Sequence, residues 1–252
     1  MSETMTGSEF RADDWESYVM DTRDPFAALE PIEAEVEVVG EALEALTKAG
    51  VIPRGSYDHA AFAAHREAAR ESFEIPWTAI SPRQERLIWA LNAIRRPARI
   101  IAAGVFCGFT FICNAGAGAG PGAVYEPEDL VGVEIKADEA ERARRNVEAF
   151  APNGRARIVA ADAVELVADY CGMIDLLYLD ADGDRGRGKG IYLEILEAAL
   201  PHLAPGALVL AHNSVNCAEK LADYLQFVRD PARMAVSVNV ILDGEGLEVS
   251  RR

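Results

Sequence analysis

Apolar residues recur every three or four positions at Leu29, Ile32, Val36, Val39, Leu43 and Leu46, so residues 25–50 read as a long amphipathic helix closed by Gly50. A second helix is expected over 58–73, with Asp58 as its N-cap. Ser81, Pro82 and Glu85 have the spacing of a third helix start, the serine capping and the proline taking the first turn. Its apolar stripe is Leu87, Ile88, Leu91 and Ile94, with Trp89 at the margin. Beyond Pro97 the period changes. Short apolar runs at 98–103, 130–135, 156–161, 174–179 and 207–211 have the length and unbroken hydrophobicity of strands buried on both faces. Helical stretches at 138–150 (capped by Asp138), 162–170, 191–203 and 216–228 alternate with them, and 235–242 with 247–250 make a terminal hairpin around Asp243-Gly244. This alternation predicts an α/β fold with a doubly wound, mostly parallel seven-stranded sheet and helices at its N-terminal side. Residues 1–24 are polar and aperiodic and read as a mobile arm, in which Trp15 and Tyr18 are free to dock. Residues 25–252 form a single domain, with 25–96 helical and 97–252 carrying the sheet.

The chemistry gathers where the strands end. Gly104 and Gly108 bracket a tight turn after the first strand, where a backbone without side chains can approach a ligand closely. Glu134, Asp162 and Asp180 end the next three strands, so acids line the carboxyl edge and outline a nucleoside-type site. Glu134 is suited to accept hydrogen bonds from both ribose hydroxyls, or else it is a solvated acid before the next helix. Asp162 either accepts from an adenine amino group or caps the helix it begins. His212 directly follows an apolar strand at the same edge and suits a general base. Arg185, Arg187 and Lys189 make a glycine-rich basic loop just past Asp182, either a solvated surface or a clamp for an anionic substrate group. The glycines of 115–122 follow a helix rather than a strand and read as a flexible loop, not a phosphate cradle.

The motifs at these strand ends carry a resemblance. Gly104-Val105-Phe106-Cys107-Gly108-Phe109-Thr110 resembles the Gly-Ala-Tyr-Cys-Gly-Tyr-Ser motif of class I S-adenosylmethionine-dependent methyltransferases of the catechol O-methyltransferase-like group. Leu179-Asp180-Ala181-Asp182 resembles that group's Val-Asp-Ala-Asp, and Leu210-Ala211-His212-Asn213 its Leu-Ala-Asp-Asn; together they make residues 80–247 similar to it. The resemblance implies a Rossmann-like methyltransferase fold and S-adenosylmethionine or S-adenosylhomocysteine as cofactor. It puts Thr110 near the methionine carboxylate and Phe106 beside the methionine chain, and implies N-terminal helices that cover the site and build a homodimer or partner-subunit contact. It also implies a Mg²⁺ held at the positions of Asp180, His212 and Asn213, although a histidine in place of an aspartate removes a hard ligand and makes a tight site doubtful.

Other departures are as informative. Ala102 stands where the group carries an acid, Gly183 where it carries its catalytic lysine, and Ser237-Val238-Asn239 where its distal substrate-binding acid is expected. Lys189 is a candidate substitute for that lysine. The leading expectation is a methyltransferase, O- or N-directed, for a small anionic metabolite of secondary biosynthesis. One alternative is a methyltransferase-fold enzyme that aligns another displacement, such as aziridine formation with loss of sulfate; the other is a non-catalytic partner subunit. A net charge of −16 argues against nucleic acid and anionic membrane surfaces as partners. The four cysteines lack a C-x-x-C pair, which with the polar acidic N-terminus suggests reduced thiols in a cytoplasmic protein.

Overall fold

The apolar runs after Pro97 do become strands, and their register sets everything else. The computed structural model describes residues 8–184 and 186–252. Its strands are β1 (Ser8–Arg11), β2 (Arg99–Ala103), β3 (Asp129–Glu134), β4 (Ala156–Ala160), β5 (Ile174–Leu179), β6 (Leu203–His212), β7 (Val236–Ile241) and β8 (Leu247–Arg251). They form one sheet in the order β1-β7-β8-β6-β5-β2-β3-β4, parallel throughout except at β8, which runs antiparallel to both neighbours. The chain therefore winds outward in one direction through β2, β3 and β4, then returns to the other side of β2 with β5 and β6. That reversal leaves a crevice at the carboxyl ends of β2 and β5.

Alternation along the strands sorts the core into two layers. Ile100, Ala102, Leu130, Leu176, Tyr178 and Leu210 pack on one face, while Ile101, Ala103, Val131, Leu177, Leu179 and Ala211 pack on the other. The helices are α1 (Ile32–Lys48), α2 (His59–Ser72), α3 (Pro82–Arg95), α4 (Phe109–Ala115), α5 (Ala137–Phe150), α6 (Ala163–Ala168), α7 (Ile191–Ala199) and α8 (Ala222–Val228). The first five supply residues to the first layer, and α6, α7 and α8 to the second. Asp58 and Ser81 cap α2 and α3 through their side chains, as their spacing predicts, whereas α5 begins one residue before Asp138, which caps nothing.

Three expectations change. Residues 8–24 are not an undocked arm: β1 joins the sheet edge beside β7 as an eighth strand, and Tyr18 is buried beneath the Arg83 guanidinium, 3.8 Å from its ring centre. The part of the arm at 1–7 lies outside the described residues. The loop at 115–122 is packed, since a Cβ on Gly116 would stand 2.3 Å from the His65 ring and one on Gly122 2.2 Å from the Ala61 carbonyl oxygen. And α3 is no amphipathic surface helix, because every residue from Pro82 to Ile94 is buried, Trp89 included. Its charged residues survive burial by pairing with the helices laid over them. Arg66 of α2 binds Glu85 at 2.7 Å and Glu35 at 2.8 Å, Arg86 binds Glu35 at 2.5 Å, and Arg83 binds Asp14 at 2.7 Å and Glu30 at 2.6 Å.

His65 lies beside this network with neither ring nitrogen hydrogen-bonded; burial first, and the Arg66 charge second, push its pKa down from 6.5 to about 3. Glu85 is the acid nearest to it, at 3.8 Å. Above pH 6.5 the ring is neutral in both folded and unfolded chains. Below it the unfolded chain gains a proton that the folded chain does not, so stability falls from pH 6.5 towards pH 3. Chemical unfolding of His65→Leu across this range should show a shallower loss, by on the order of 4 kcal/mol in all. Equal slopes for both chains would show that the buried ring takes up its proton.

Candidate active site

The parallel register puts one row of residues across the crevice. Val133, Ala103, Leu179 and Ala211 are aligned through β3, β2, β5 and β6, so the next positions, Glu134, Gly104, Asp180 and His212, follow each other along the carboxyl edge. They line a cavity of about 910 Å³, within the range of small-molecule sites.

At one end the turn after β2 is held in a conformation few side chains tolerate. Gly104, Phe106 and Gly108 have φ of +80°, +49° and +90°. A Cβ on Gly104 would lie 2.4 Å from the Ala181 backbone, because the chains leaving β2 and β5 touch there. Phe106 keeps its unusual backbone because its N–H donates to Glu134 Oε2 at 2.9 Å, while the Lys136 N–H donates to Oε1 at 3.0 Å. Glu134 is thus no solvated acid; it is 8% exposed and ties the glycine turn to the end of β3. Thr110 of α4 is buried at the cavity wall, and Trp77 packs at a tilt against Phe106 with ring centres 5.0 Å apart. Asp162 caps α6, accepting from the Val164 N–H at 2.7 Å, and still faces the cavity. Ala102 is wholly buried in the sheet, so no acid approaches the turn from that position.

At the other end Asp180 is the hub. Lys189 Nζ donates to its Oδ1 at 2.8 Å and to its carbonyl oxygen at 2.9 Å, and His212 Nδ1 stands 3.3 Å from the same Oδ1. Burial alone would raise the Asp180 pKa, but its interactions with the adjacent His212 and Lys189 hold it below the ordinary carboxylate value. For His212, burial opposes the charged ring and the Asp180 carboxylate outweighs it, leaving the pKa raised. With Asp180 ionised, the neutral ring carries its hydrogen on Nδ1. Nε2 is buried without a hydrogen-bond partner among the described residues, and His212 itself lines the cavity.

The donor set does not fit the divalent metal that the resemblance implies. His212 and Lys189 both converge on the oxygen that would bind it, and Asn213 is turned to Glu245, donating from Nδ2 to Oε2 at 2.6 Å. No group of three His, Cys, Asp or Glu among the described residues is arranged to hold a metal ion. The basic loop is also closed on itself. Arg187 binds Glu194 at 2.7 Å and Asp184 at 3.2 Å, and Lys189 is turned inward, so these two form no open anion clamp. Arg185 lies outside the described residues.

Sequence reading missed part of the wall. Trp77 and Thr78, between α2 and α3, and Thr22, whose carbonyl accepts from the Thr78 N–H at 2.8 Å, come from segments far from the sheet motifs. Glu245, on the turn between β7 and β8, brings an acid to the cavity although the 237–239 stretch offers none. The one available signal was Trp77 itself, a large aromatic in the short connection between α2 and α3, and it is half exposed.

Residues 101–214, from within β2 to just past β6, match a family model described as a methyltransferase domain. No curated protein matches the chain. Among solved structures, it is similar to the O-methyltransferase TomG from Streptomyces achromogenes, involved in tomaymycin synthesis and bound to SAM. Identity there is 22% over 85% of this chain and 97% of that one, with a TM-score of 0.56. An O-methyltransferase from Bacillus cereus in complex with SAH is similar at 17% identity, covering 86% and 99%, with a TM-score of 0.57. An SAH-bound methyltransferase from Podospora anserina aligns at 15% identity over 90% and 99%, with a TM-score of 0.60. Likeness at such identities carries the fold, a Rossmann-like methyltransferase fold with N-terminal helices.

The close approach at Gly104 makes a direct test. Gly104→Ala forces a Cβ into the Ala181 backbone and loads a positive φ, so unfolding free energy should drop by about 3 kcal/mol. Denaturant unfolding of the two chains measures it; a loss under about 0.5 kcal/mol would mean the two loops separate freely.

Proposed function

We propose that this chain, with its methyltransferase domain, transfers a methyl group from S-adenosylmethionine to a hydroxyl or amino group of a small molecule. The observation that carries the reading is the continuity of one cavity, from the Glu134-tied glycine turn at one end to His212 at the other. When bound, S-adenosylmethionine supplies an electrophilic methyl group on a sulfonium sulfur. The chain's own residues fit it. Gly104 leaves room for close backbone approach, Glu134 has lone pairs for the ribose hydroxyls, and Asp162 has a carboxylate oxygen left for the adenine side. Thr110 and Phe106 flank the methionine end in this reading.

His212 is the base of the reading. Asp180 holds its Nδ1–H, so Nε2 is presented to accept the acceptor's proton as the new bond to carbon forms. The resulting imidazolium stays beside a carboxylate that stabilises it. Much of the rate then comes from alignment of acceptor and methyl group in a walled cavity. The acceptor end favours a hydroxyl or amine on a neutral or cationic molecule over an anion, since Asp182 and Glu245 line it while Arg187 and Lys189 are already paired.

Calorimetry with S-adenosylhomocysteine tests the cofactor half. The unsubstituted chain should bind it, and Glu134→Ala should weaken binding by about 10- to 100-fold through loss of charge-assisted hydrogen bonds. No binding by the unsubstituted chain would transfer the argument to a fold retained for another displacement. For the acceptor half, turnover of labelled S-adenosylmethionine against a panel of small alcohols, phenols and amines is the measurement. His212→Ala should cut it by about 100- to 10,000-fold while leaving S-adenosylhomocysteine affinity intact. Unchanged turnover would remove His212 as the base.

A further inference from the structure

We infer that the Lys189 ammonium is the resident cation of this site, seated on Asp180 where a divalent ion would otherwise stand, and that it positions Asp180 for His212. The inference rests on reading the cavity as a transfer site, and it assigns the source of positive charge that the donor set denies to a metal. Lys189 is not a surface lysine that happens to reach an acid: its side chain is 11% exposed. A lysine that deep is stable only when paired, and this one donates to Asp180 Oδ1 and the Asp180 carbonyl and stands 3.5 Å from the Asp182 carboxylate.

The backbone is shaped to deliver it. Gly183 and Gly188 bridge each other antiparallel, the Gly183 N–H donating at 2.8 Å and the Gly188 N–H at 3.2 Å, which closes the loop into a small hairpin. Gly186 and Gly188 turn it with φ of +83° and +50°, and α7 starts two residues after Lys189. The chain thus leaves β5 with Asp180, circles once and returns the ammonium to the same carboxylate. Oδ1 then has the ammonium and the His212 Nδ1 as its two close partners, with the Tyr192 hydroxyl more distant at 3.5 Å.

A dication on this carboxylate would face the ammonium across a single acid group, in a buried setting where screening is weak. The two cations therefore exclude each other. Because the ammonium donors are used by the protein, Lys189 acts through Asp180 rather than on the acceptor. It fixes the carboxylate, and the carboxylate fixes the imidazole tautomer and direction.

Manganese uptake, followed by electron paramagnetic resonance, reads this directly and needs no acceptor. The unsubstituted chain should take up no Mn²⁺ that Asp180→Asn removes. Lys189→Met should bind Mn²⁺ at least about tenfold more tightly than the unsubstituted chain, and Asp180→Asn in that background should abolish the gain. Lys189→Gln, which keeps hydrogen-bond donors but not the charge, should gain uptake in the same way. Two results would overturn the inference. One is Asp180-dependent Mn²⁺ uptake by the unsubstituted chain at the affinity of Lys189→Met, meaning that a metal displaces the lysine. The other is no uptake by either folded variant, meaning that Asp180 is no cation seat. S-adenosylhomocysteine calorimetry on the same samples keeps the two readings apart. Absence of that binding with the manganese pattern intact removes the transfer reading and leaves the cation assignment standing.

Discussion

The register of four parallel strands is the constraint from which the site follows. A glutamate at the end of β3, a glycine after β2, an aspartate after β5 and a histidine at the end of β6 are separated by 30 to 108 residues of chain, from Gly104 to Glu134 and from Gly104 to His212. They become neighbours only because Val133, Ala103, Leu179 and Ala211 align. A slip of one residue in any pairing would turn the functional side chain to the other face of the sheet. The apolar alternation that fills two core layers therefore also fixes the site, since both depend on the same pairing.

Closing the crevice is the task of the N-terminal segments, and they do it at an electrostatic cost. Burying α3 places Arg83, Glu85 and Arg86 in the interior, where each charge is tolerable only with a partner in good geometry. The partners come from three separate segments, around Asp14 and Glu30, in α1 at Glu35, and in α2 at Arg66. The network works as a registration device. In the arrangement it joins, Thr22, Trp77 and Thr78 lie over the cavity.

The same logic operates at the acceptor end. In a chain of net charge −16, an inward lysine beside a histidine and an aspartate makes a compact set of compensated charges. Compensation explains why Asp180 stays below the ordinary carboxylate pKa although it is largely buried, and why His212 lies above the ordinary imidazole value. It also explains why the basic loop leaves neither of its described cations unpaired, although Arg187 stays exposed. Arg187 and Lys189 answer local acids first.

By itself the sequence determined the elements after Pro97, the α/β class, the glycine turn and the acids and histidine at strand ends, because buried parallel strands and tight turns are dictated by short contiguous runs of residues. The capping roles of Asp58 and Ser81 were legible for the same reason, since a cap acts within one helical turn. Only the tertiary structure decided the rest. β1 is four polar-edged residues whose strand state depends on the exposed edge of β7, and the depth of α3 depends on helices that supply its counter-charges. The pairing of Lys189 with Asp180 depends on how a glycine loop folds back, and Thr22, Thr78 and Glu245 reach the cavity from segments with no local mark of function. Contacts of this kind are set by packing between distant elements, and no window of the chain contains both partners in the form in which they meet.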